Sequence, residues 1–194
     1  MTTEDIYEVG IAMFRYQGIG ATGLEAVAEY LHLSKRYLFE RFKDKSNFVN
    51  SCIRFEIARE RATVKEIVMK SRSTLSAIVK LYTHATRYLG SFHPSFFKDL
   101  KKYAESEKEF SRYLIMLKVI FNDYIVESVK NGLCTKECDS FLLSGFLCLR
   151  LEEIMNGSLI HKQEKFRGLT KFVVKSMLLG YVTELGRQQL VEAT

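Results

Sequence analysis

A cluster of basic and aromatic side chains within residues 33–45 is the part of the sequence best suited to bind another molecule. Lys35, Arg36 and Tyr37 follow a serine, and Arg41 comes about one helical turn later. Basic side chains bind phosphate oxygens, and the free N–H groups and positive dipole end of a helix N-terminus favour the same contact. The segment holds five basic and two acidic residues, a net charge of +3. These residue types favour a phosphate-bearing polyanion as the partner.

Two short helices joined by a tight turn are predicted to position these side chains. Thr22 and Glu25 have the spacing of a T-x-x-E capping box, in which the Thr22 hydroxyl accepts from the Glu25 amide and the Glu25 carboxylate accepts from the Thr22 amide. Residues 31–33 form the turn that follows the first helix. The apolar residues of this helix recur at helical spacing and predict one buried face; they are Leu24, Val27, Ala28 and Leu31.

The second helix is predicted to begin at Ser34, whose side chain is suited to cap a helix N-terminus. Leu38 and Phe42 are four residues apart and predict an inward face, which leaves the basic side chains outside. A helix that packs, a turn and a helix offered to the DNA major groove make a helix-turn-helix, here at about residues 23–42. A plain helical hairpin with a solvated basic face explains the same residue types equally well.

Residues 4–50 resemble the DNA-binding domain of the TetR family of transcriptional repressors. The family's segment G-V-S-K-G-T-L-Y-x-H-F-x-S-K is similar to HLSKRYLFERFKDK at residues 32–45. The match is specific in both spacing and residue type. The residues that carry the resemblance are Ile6, Ala12, Met13, Phe14, Gly18, Thr22, Val27, Ala28, Leu33, Ser34, Lys35, Leu38, Phe39, Phe42 and Lys45.

The resemblance implies that this domain binds double-stranded DNA. Thr22 and Lys45 would contact phosphates, and the outward residues of the second helix would meet bases or the DNA backbone. The expected DNA-binding residues are Thr22, Gly23, Ser34, Lys35, Arg36, Tyr37, Phe39, Glu40, Arg41 and Lys45.

Five positions depart from the family's pattern. His32 replaces the glycine usual in the turn, which argues against a left-handed residue there. Arg36 replaces another common glycine, and Arg41 replaces a common histidine. Phe39 replaces the usual tyrosine and cannot donate the family's phenol hydrogen bond to phosphate. Glu40 brings an acid near the groove, where it either accepts from a cytosine amine or weakens non-specific binding.

Residues 1–3 contain no Lys or Arg, whereas most family members carry a basic arm before the first helix. We therefore expect little contact with the minor groove. The start of the chain is acidic where a signal peptide would be basic. No apolar run approaches the roughly 18 residues that a membrane span needs. We expect a cytoplasmic protein with no membrane partner.

The composition indicates an all-helical protein. Of 194 residues, 47% are hydrophobic, one is proline and 11 are glycine, and apolar residues recur at three and four positions rather than alternate. About nine helices are predicted in two domains, a three-helix DNA-binding domain at 1–60 and a larger helical ligand-binding and dimerisation domain at 61–194. The net charge of +6 falls within residues 62–194, so the overall charge gives poor support for DNA binding.

Helices outside the helix-turn-helix are predicted from apolar periodicity and capping residues. Pro94 is expected at the first position of its helix, and Gly18 is expected to end the first helix. The predicted helices are Glu4–Gln17, Lys45–Lys70, Ser73–Leu89, Pro94–Tyr103, Glu105–Asn131, Thr135–Leu159 and Lys162–Leu190.

Residues that could hold a metal or carry catalysis lack the necessary spacing. Four cysteines, which are expected to be reduced, form no C-x-x-C; they are Cys52, Cys134, Cys138 and Cys148. Residues 18–23 spell G-x-G-x-x-G, but an amphipathic helix precedes them where a dinucleotide site needs a strand. The four histidines are scattered, and no hydrolase or zinc-protease motif is present. We expect no enzyme activity, metal or cofactor.

The resemblance also implies an inducer held within the C-terminal domain. The aromatic side chains suit an apolar or aromatic small molecule, which a few polar groups would orient. Aromatic residues at helical spacing also serve as ordinary core. The expected pocket residues are His84, Phe92, Phe96, Phe97, Tyr103, Phe110, Tyr113, Phe121 and Asn122.

The last two predicted helices are more apolar than the rim of a single bundle requires, and Gly145 and Gly180 would allow close approach. The resemblance implies a homodimer in which these helices of both chains form a four-helix bundle; burial within one chain is the alternative. A two-fold dimer would bind a pseudo-palindromic operator. The expected interface residues are Phe141, Leu142, Gly145, Phe146, Leu149, Phe172, Val173, Met177, Leu178 and Tyr181.

These features predict a sequence-specific DNA-binding regulator, a ligand-responsive repressor that acts as a homodimer. The alternative is a helical small-molecule-binding or scaffold protein that has lost DNA binding. The acid at Glu40, the missing tyrosine at Phe39 and the missing basic arm motivate that alternative. An enzyme built on a helical bundle has no catalytic constellation to support it.

Overall fold

Ten helices make up the part of the chain that the computed structural model describes, residues 2–156 and 169–192. These residues form no strand, and their one isolated antiparallel bridge joins Cys134 and Val182. The all-helical prediction is confirmed. The helices are α1 (Thr3–Ala21), α2 (Leu24–Tyr30), α3 (Lys35–Phe42), α4 (Lys45–Met69), α5 (Thr74–Leu89), α6 (Phe96–Leu100), α7 (Ala104–Lys130), α8 (Ser140–Met155), α9 (Leu169–Leu179) and α10 (Glu184–Glu192).

The chain divides into two compact units. The first comprises Met1–Ala62 and Ser91–Tyr113, and the second comprises Thr63–Gly90 and Leu114–Thr194. The sequence-based division places all of residues 61–194 in one domain, whereas α6 and the start of α7 group with the N-terminal helices. Across the described helices, none is both long and apolar enough to span a bilayer.

Helix α1 bends at Gly18, which has φ +84° and ψ 164° within the helix. An L-residue rarely adopts this left-handed φ, so glycine is required here. The bend lies where the sequence predicts the end of the first helix, and one further turn then runs to Ala21.

The capping box predicted for α2 does not form. The Thr22 hydroxyl donates to the carbonyl oxygen of Gly18 at 2.8 Å, and the Thr22 N–H donates to the carbonyl oxygen of Ile19 at 3.2 Å. Gly23 is the N-cap of α2 and makes no side-chain capping bond. The prediction is wrong because both groups of Thr22 close the end of α1 instead of opening α2.

The turn between α2 and α3 contains a left-handed residue that is not glycine. His32 has φ +54°, against the expectation from its residue type. The Leu33 N–H donates to the carbonyl oxygen of Ala28 at 2.8 Å and closes the turn. Closure of the turn therefore outweighs the strain of the left-handed residue, which is about 1–2 kcal/mol.

Aromatic rings in the first unit fix α3 and α4 against α1. The Phe48 ring lies 5.9 Å from Phe14 and 5.2 Å from Phe42 between centroids, both edge-to-face. A Cβ atom on Gly10 would lie 2.7 Å from the Phe48 ring and 2.8 Å from the Cys52 sulfur. The close packing of α1 on α4 therefore depends on glycine at this position.

A buried carboxylate on α4 adds ionic contacts to this packing. Glu56 is 2% exposed and accepts from Arg15 of α1 at 2.5 Å and from Arg59 at 2.6 Å. Arg59 also reaches Glu8 of α1 at 3.4 Å. Because removal of one partner of a buried ion pair leaves an uncompensated charge, these contacts tie α1 to α4 in one register.

Helix α6 is shorter than predicted. Ser95 is its N-cap, and Pro94 belongs to the preceding turn, which the Phe96 N–H closes by donating to the carbonyl oxygen of His93 at 2.8 Å. Pro94 is therefore not the first helical residue.

Helix α8 begins five residues later than predicted. Asp139 caps it by accepting from the Leu142 N–H at 2.9 Å. Thr135, the predicted start, donates its N–H to the carbonyl oxygen of Tyr181 at 2.8 Å and lies in the turn between α7 and α8. The predicted end at Leu159 lies outside the described residues.

The predicted last helix is divided into α9 and α10, and its predicted start at Lys162 lies outside the described residues. The Thr183 hydroxyl donates to the carbonyl oxygen of Gly132 at 2.7 Å and accepts from the Gly186 N–H at 3.2 Å. A Cβ atom on Gly186 would lie 2.1 Å from the carbonyl oxygen of Leu133. The break is wrongly predicted as helix because apolar periodicity continues across it.

Replacing His32 by glycine should stabilise the protein. Glycine adopts a positive φ without strain, and this relief exceeds its larger loss of chain entropy. We expect the free energy of unfolding to rise by about 0.5–1 kcal/mol. Chemical denaturation at a fixed protein concentration measures the change.

Glu29→Gly is the matched control, because Glu29 is exposed in α2. This variant should lower the free energy of unfolding by roughly 0.5–1 kcal/mol. Equal losses of stability in the two variants would show that the turn does not strain His32.

Candidate nucleic-acid interface

Helix α3 projects its polar and basic residues outward from two buried anchors. Leu38 is fully buried and Phe42 is 5% exposed. The Ser34 hydroxyl accepts from the Tyr37 N–H at 3.1 Å, which confirms Ser34 as the N-cap. The side chains left exposed are Lys35, Arg36, Tyr37, Phe39, Glu40 and Arg41. A helix N-terminus with this set can donate both to phosphates and to base edges.

An ion pair on the surface of α3 joins two of the expected DNA-binding residues. Arg36 Nε lies 2.6 Å from Glu40 Oε1, four residues along the helix, and the two side chains are 87% and 61% exposed. Such an exposed pair contributes little to stability. Its consequence is positional, because the Glu40 carboxylate lies beside the Arg36 guanidinium on the outer face.

Two further basic residues flank this pair. The Arg41 guanidinium donates to the hydroxyl of Thr3 in the first turn of α1. Lys43 is exposed and caps the end of α3 with φ +68°. Lys43 is not among the expected contacts, although its charge and its place directly after the helix put it beside them.

The structure places Thr22 and Gly23 differently from the exposed residues of α3. Thr22 is fully buried, and its hydroxyl donates to Gly18 and accepts from the Gln17 amide at 3.3 Å. The hydroxyl that the resemblance assigns to a phosphate is therefore engaged within the protein. Gly23 is half-buried at the start of α2.

Lys45 lies at the N-terminus of α4, and its ammonium group donates to the carbonyl oxygen of Gly20 at 2.9 Å. Partial burial lowers the pKa of Lys45, as does the positive charge of Lys102, while the carboxylates of Asp99 and Glu25 act in the opposite direction. Lys45 stays half-buried, so the remaining donors of its ammonium group can reach an incoming phosphate.

Residues 6–52, which include this interface, match the family of bacterial regulatory proteins known as the tetR family. The N-terminal part of the chain is therefore a tetR-family regulatory domain. The protein is accordingly a DNA-binding transcriptional regulator, and α2 and α3 are its helix-turn-helix.

Solved structures of TetR-family regulators share the fold over nearly the whole chain. FadR from Bacillus subtilis in complex with stearoyl-CoA has a TM-score of 0.71 at 12% identity, covering 92% of this chain and 99% of FadR. Escherichia coli NemR in its reduced form has a TM-score of 0.70 at 13% identity, with 90% and 96% covered. The ketosteroid regulator KstR2 of Mycobacterium tuberculosis has a TM-score of 0.62 at 16% identity, with 93% and 95% covered. No curated protein sequence matches the chain.

Six of the expected pocket residues lie in the first unit. The Phe92 and Phe96 rings stack at 4.1 Å, and the Phe97 and Phe110 rings meet edge-to-face at 5.7 Å. All four rings are at most 5% exposed. Tyr113 is fully buried and donates to Glu60 at 2.9 Å, and Tyr103 is half-buried.

The other three expected pocket residues lie in the second unit. Phe121 is fully buried, with its ring 6.5 Å from that of Tyr82. His84 stacks on Tyr88 at 6.3 Å, and Asn122 is half-buried. Phe121 and the four phenylalanines of the first unit therefore act as core in this conformation, and the pocket stays a prediction.

Exposed aromatic and aliphatic side chains cover one side of α8 and part of α9. In α8, Gly145 has open space beside it, as does Gly180 after α9. Val173 and Met177 are half-buried. Leu178 is fully buried within the chain, so its expected place on a dimer surface is wrong. The exposed members of the predicted interface are Phe141, Leu142, Phe146, Leu149, Phe172 and Tyr181.

All four cysteines are buried free thiols. Burial raises the pKa of Cys134 to about 12 and that of Cys148 to about 11. Protonated, buried thiols are poor nucleophiles and poor metal ligands.

Replacing Lys45 by alanine should weaken binding to all DNA sequences alike. A lost phosphate contact reduces the slope of log binding constant against log salt by about one. Titrations of labelled duplexes at several salt concentrations measure this slope. Lys65→Ala is the control, because it removes an exposed lysine from the same helix. Equal slopes in the two variants would exclude the phosphate contact.

Replacing Arg36 by alanine should cost about 1–3 kcal/mol of discrimination at the base that it reads. Glu40→Gln should change preference at the same base pair, because it releases the guanidinium. The double variant should then add nothing to the effect of Arg36→Ala. Binding to a library of single-base operator variants tests this coupling. A change at a different base pair would show instead that Glu40 reads a base itself.

Proposed function

We propose that the protein is a homodimeric repressor that leaves its operator when an apolar small molecule binds. Operator recognition is supported by the exposed basic face of α3. Leu38 and Phe42 anchor this helix, and Ser34 caps its N-terminus. A helix held in this way can enter the major groove without change in its own packing. We place the protein in the cytoplasm, where the DNA of a bacterium lies.

Dimerisation through α8 and α9 is supported by their exposed apolar side chains. Phe141 and Phe172 are each 67% exposed, and Phe146 is 57% exposed. Phe141, Leu142, Phe146 and Leu149 recur at helical spacing and form one face of α8. Since large contiguous apolar patches mark interaction sites, a second copy of this face would remove the rings from water. The two-fold axis would place two α3 helices on a pseudo-palindromic operator.

An apolar inducer is supported by the ligand of one protein that shares the fold. FadR, which has the same fold, was solved with stearoyl-CoA, a ligand with a long apolar chain. In this proposal the dimer has two conformations, and only one of them spaces its two α3 helices to fit the operator. A ligand that prefers the other conformation weakens operator binding by the ratio of its affinities for the two. In this proposal, His84 and Asn122 orient the ligand.

Recovery of host DNA fragments by the purified protein at about 150 mM salt, near physiological ionic strength, tests the proposal. We expect one enriched pseudo-palindrome whose half-sites lie about one helical turn, or a multiple of it, apart. Uniform weak recovery would contradict sequence-specific regulation and favour a small-molecule-binding protein.

Phe146→Glu provides the matched variant for the dimer. A carboxylate in the middle of the apolar face should give a monomer in light scattering, because its desolvation would oppose association. The monomer should lose the palindrome while keeping its thermal unfolding transition. Lys136→Glu is the control, because it places a glutamate at an exposed residue of the α7–α8 turn. Arg150→Glu is unsuitable, because Arg150 pairs with Glu153. A dimer that persists in Phe146→Glu would exclude this face.

A further inference from the structure

The end of α1 and helix α6 meet at two glycines in the first unit. A Cβ atom on Gly18 would lie 2.3 Å from the Ser95 hydroxyl, and one on Gly20 would lie 2.9 Å from Asp99 Oδ2. The Gly20 N–H donates to the same carboxylate oxygen at 2.9 Å. This contact brings α6 beside the residue whose carbonyl group binds Lys45.

Asp99 is compensated by several donors. Lys102 donates to its Oδ1 at 3.0 Å, and the Ser95 hydroxyl donates to its Oδ2 at 3.3 Å. Although burial acts to raise the pKa of Asp99, the hydrogen bonds from Lys102, Gly20 and Ser95 together lower it. The carboxylate is therefore ionised, and its charge is already balanced where it lies.

Lys102 and Lys45 lie on the two sides of Gly20. Lys102 contacts Asp99, which binds the Gly20 N–H, and Lys45 binds the Gly20 carbonyl oxygen. The two ammonium groups are close enough for the charge of Lys102 to lower the pKa of Lys45. Lys101 and Lys102 are both exposed at the end of α6, and the Lys102 side chain is 67% exposed.

We propose that Lys102, with Lys101 beside it, forms a second phosphate-binding site that extends the operator interface from Lys45 onto the end of α6. The phosphate would belong to the backbone of the same DNA duplex. An ammonium group has three donors, so Lys102 can keep its bond to Asp99 and donate another to a phosphate. Lys102 is the exposed partner of this ion pair, so its ammonium group stays open to a phosphate from the solvent side.

The proposal rests on operator binding by α3, and it adds a residue outside the helix-turn-helix to that interface. Because phosphate contacts carry no base information, Lys102 should contribute equally to every operator sequence. The turn that follows α6 then takes part directly in binding DNA, while α6 itself packs against α1.

The test is the salt dependence of binding to duplex DNA that carries the sequence recovered from the host. Lys102→Ala should reduce the slope of log binding constant against log salt by about one. Lys102→Arg should keep the wild-type slope. Lys80→Ala removes an exposed lysine of α5 and should leave the slope unchanged, which controls for the change in net charge. Thermal unfolding checks that each variant is folded.

Lys102→Ala could also change the slope indirectly, by leaving the Asp99 carboxylate without its partner. Measuring Lys102→Ala again in the Asp99→Asn background separates this effect from the loss of a direct phosphate contact. A loss of slope that persists there supports direct contact. A loss that disappears when the carboxylate is neutralised overturns the proposal, as does an unchanged slope in Lys102→Ala. Failure to recover any specific DNA with the wild-type protein would instead contradict the proposed function itself.

Discussion

Gly20 uses both of its backbone polar groups to join three helices of the first unit. Its N–H is bound by Asp99 of α6, and its carbonyl oxygen is bound by Lys45 at the start of α4, while Gly20 itself lies in the last turn of α1. The left-handed bend at Gly18 turns this last piece of α1 toward α6. A Cβ atom at Gly20 would lie 2.9 Å from Asp99 Oδ2, so this carboxylate would have to move if a larger residue replaced the glycine.

Residue types and their spacing were enough to predict helix α3. Ser34 is the N-cap, Leu38 and Phe42 point inward, and the residues between them are exposed, all from spacing and residue type. The hydrogen bonds of Thr22, in contrast, could not be predicted from the neighbouring residue types. A threonine hydroxyl both donates and accepts, and the bend at Gly18 places a carbonyl oxygen within its reach. That choice depends on a backbone conformation that the T-x-x-E pattern does not encode.

Contacts between distant segments were beyond the reach of the sequence. Gly20 and Asp99 are 79 residues apart, and nothing in either residue type specifies the other. The division between α9 and α10 is a different case, because Gly180 and Thr183 could have indicated it. A glycine followed by a capping threonine predicts a break in the helix. The apolar spacing continues across both residues, however, and predicts one unbroken helix.

Faces of a helix that is apolar all round cannot be assigned from periodicity. In α8, Leu143, Leu147 and Leu151 are buried, whereas Phe146 and Leu149 are exposed, and both sets recur at helical spacing. The same ambiguity explains Leu178, which lies inside the chain although its neighbour Leu179 is exposed. Only the packing of the second unit decides which set is core.

Glu56 limits how a conformational signal can act on the first unit. One of its oxygens binds Arg15 of α1, and the other binds Arg59, which also contacts Glu8 on α1. Sliding α1 along α4 by one turn would separate the buried Glu56 carboxylate from Arg15, at a cost of several kcal/mol. The contacts of Glu56 therefore hold α1 and α4 in one register.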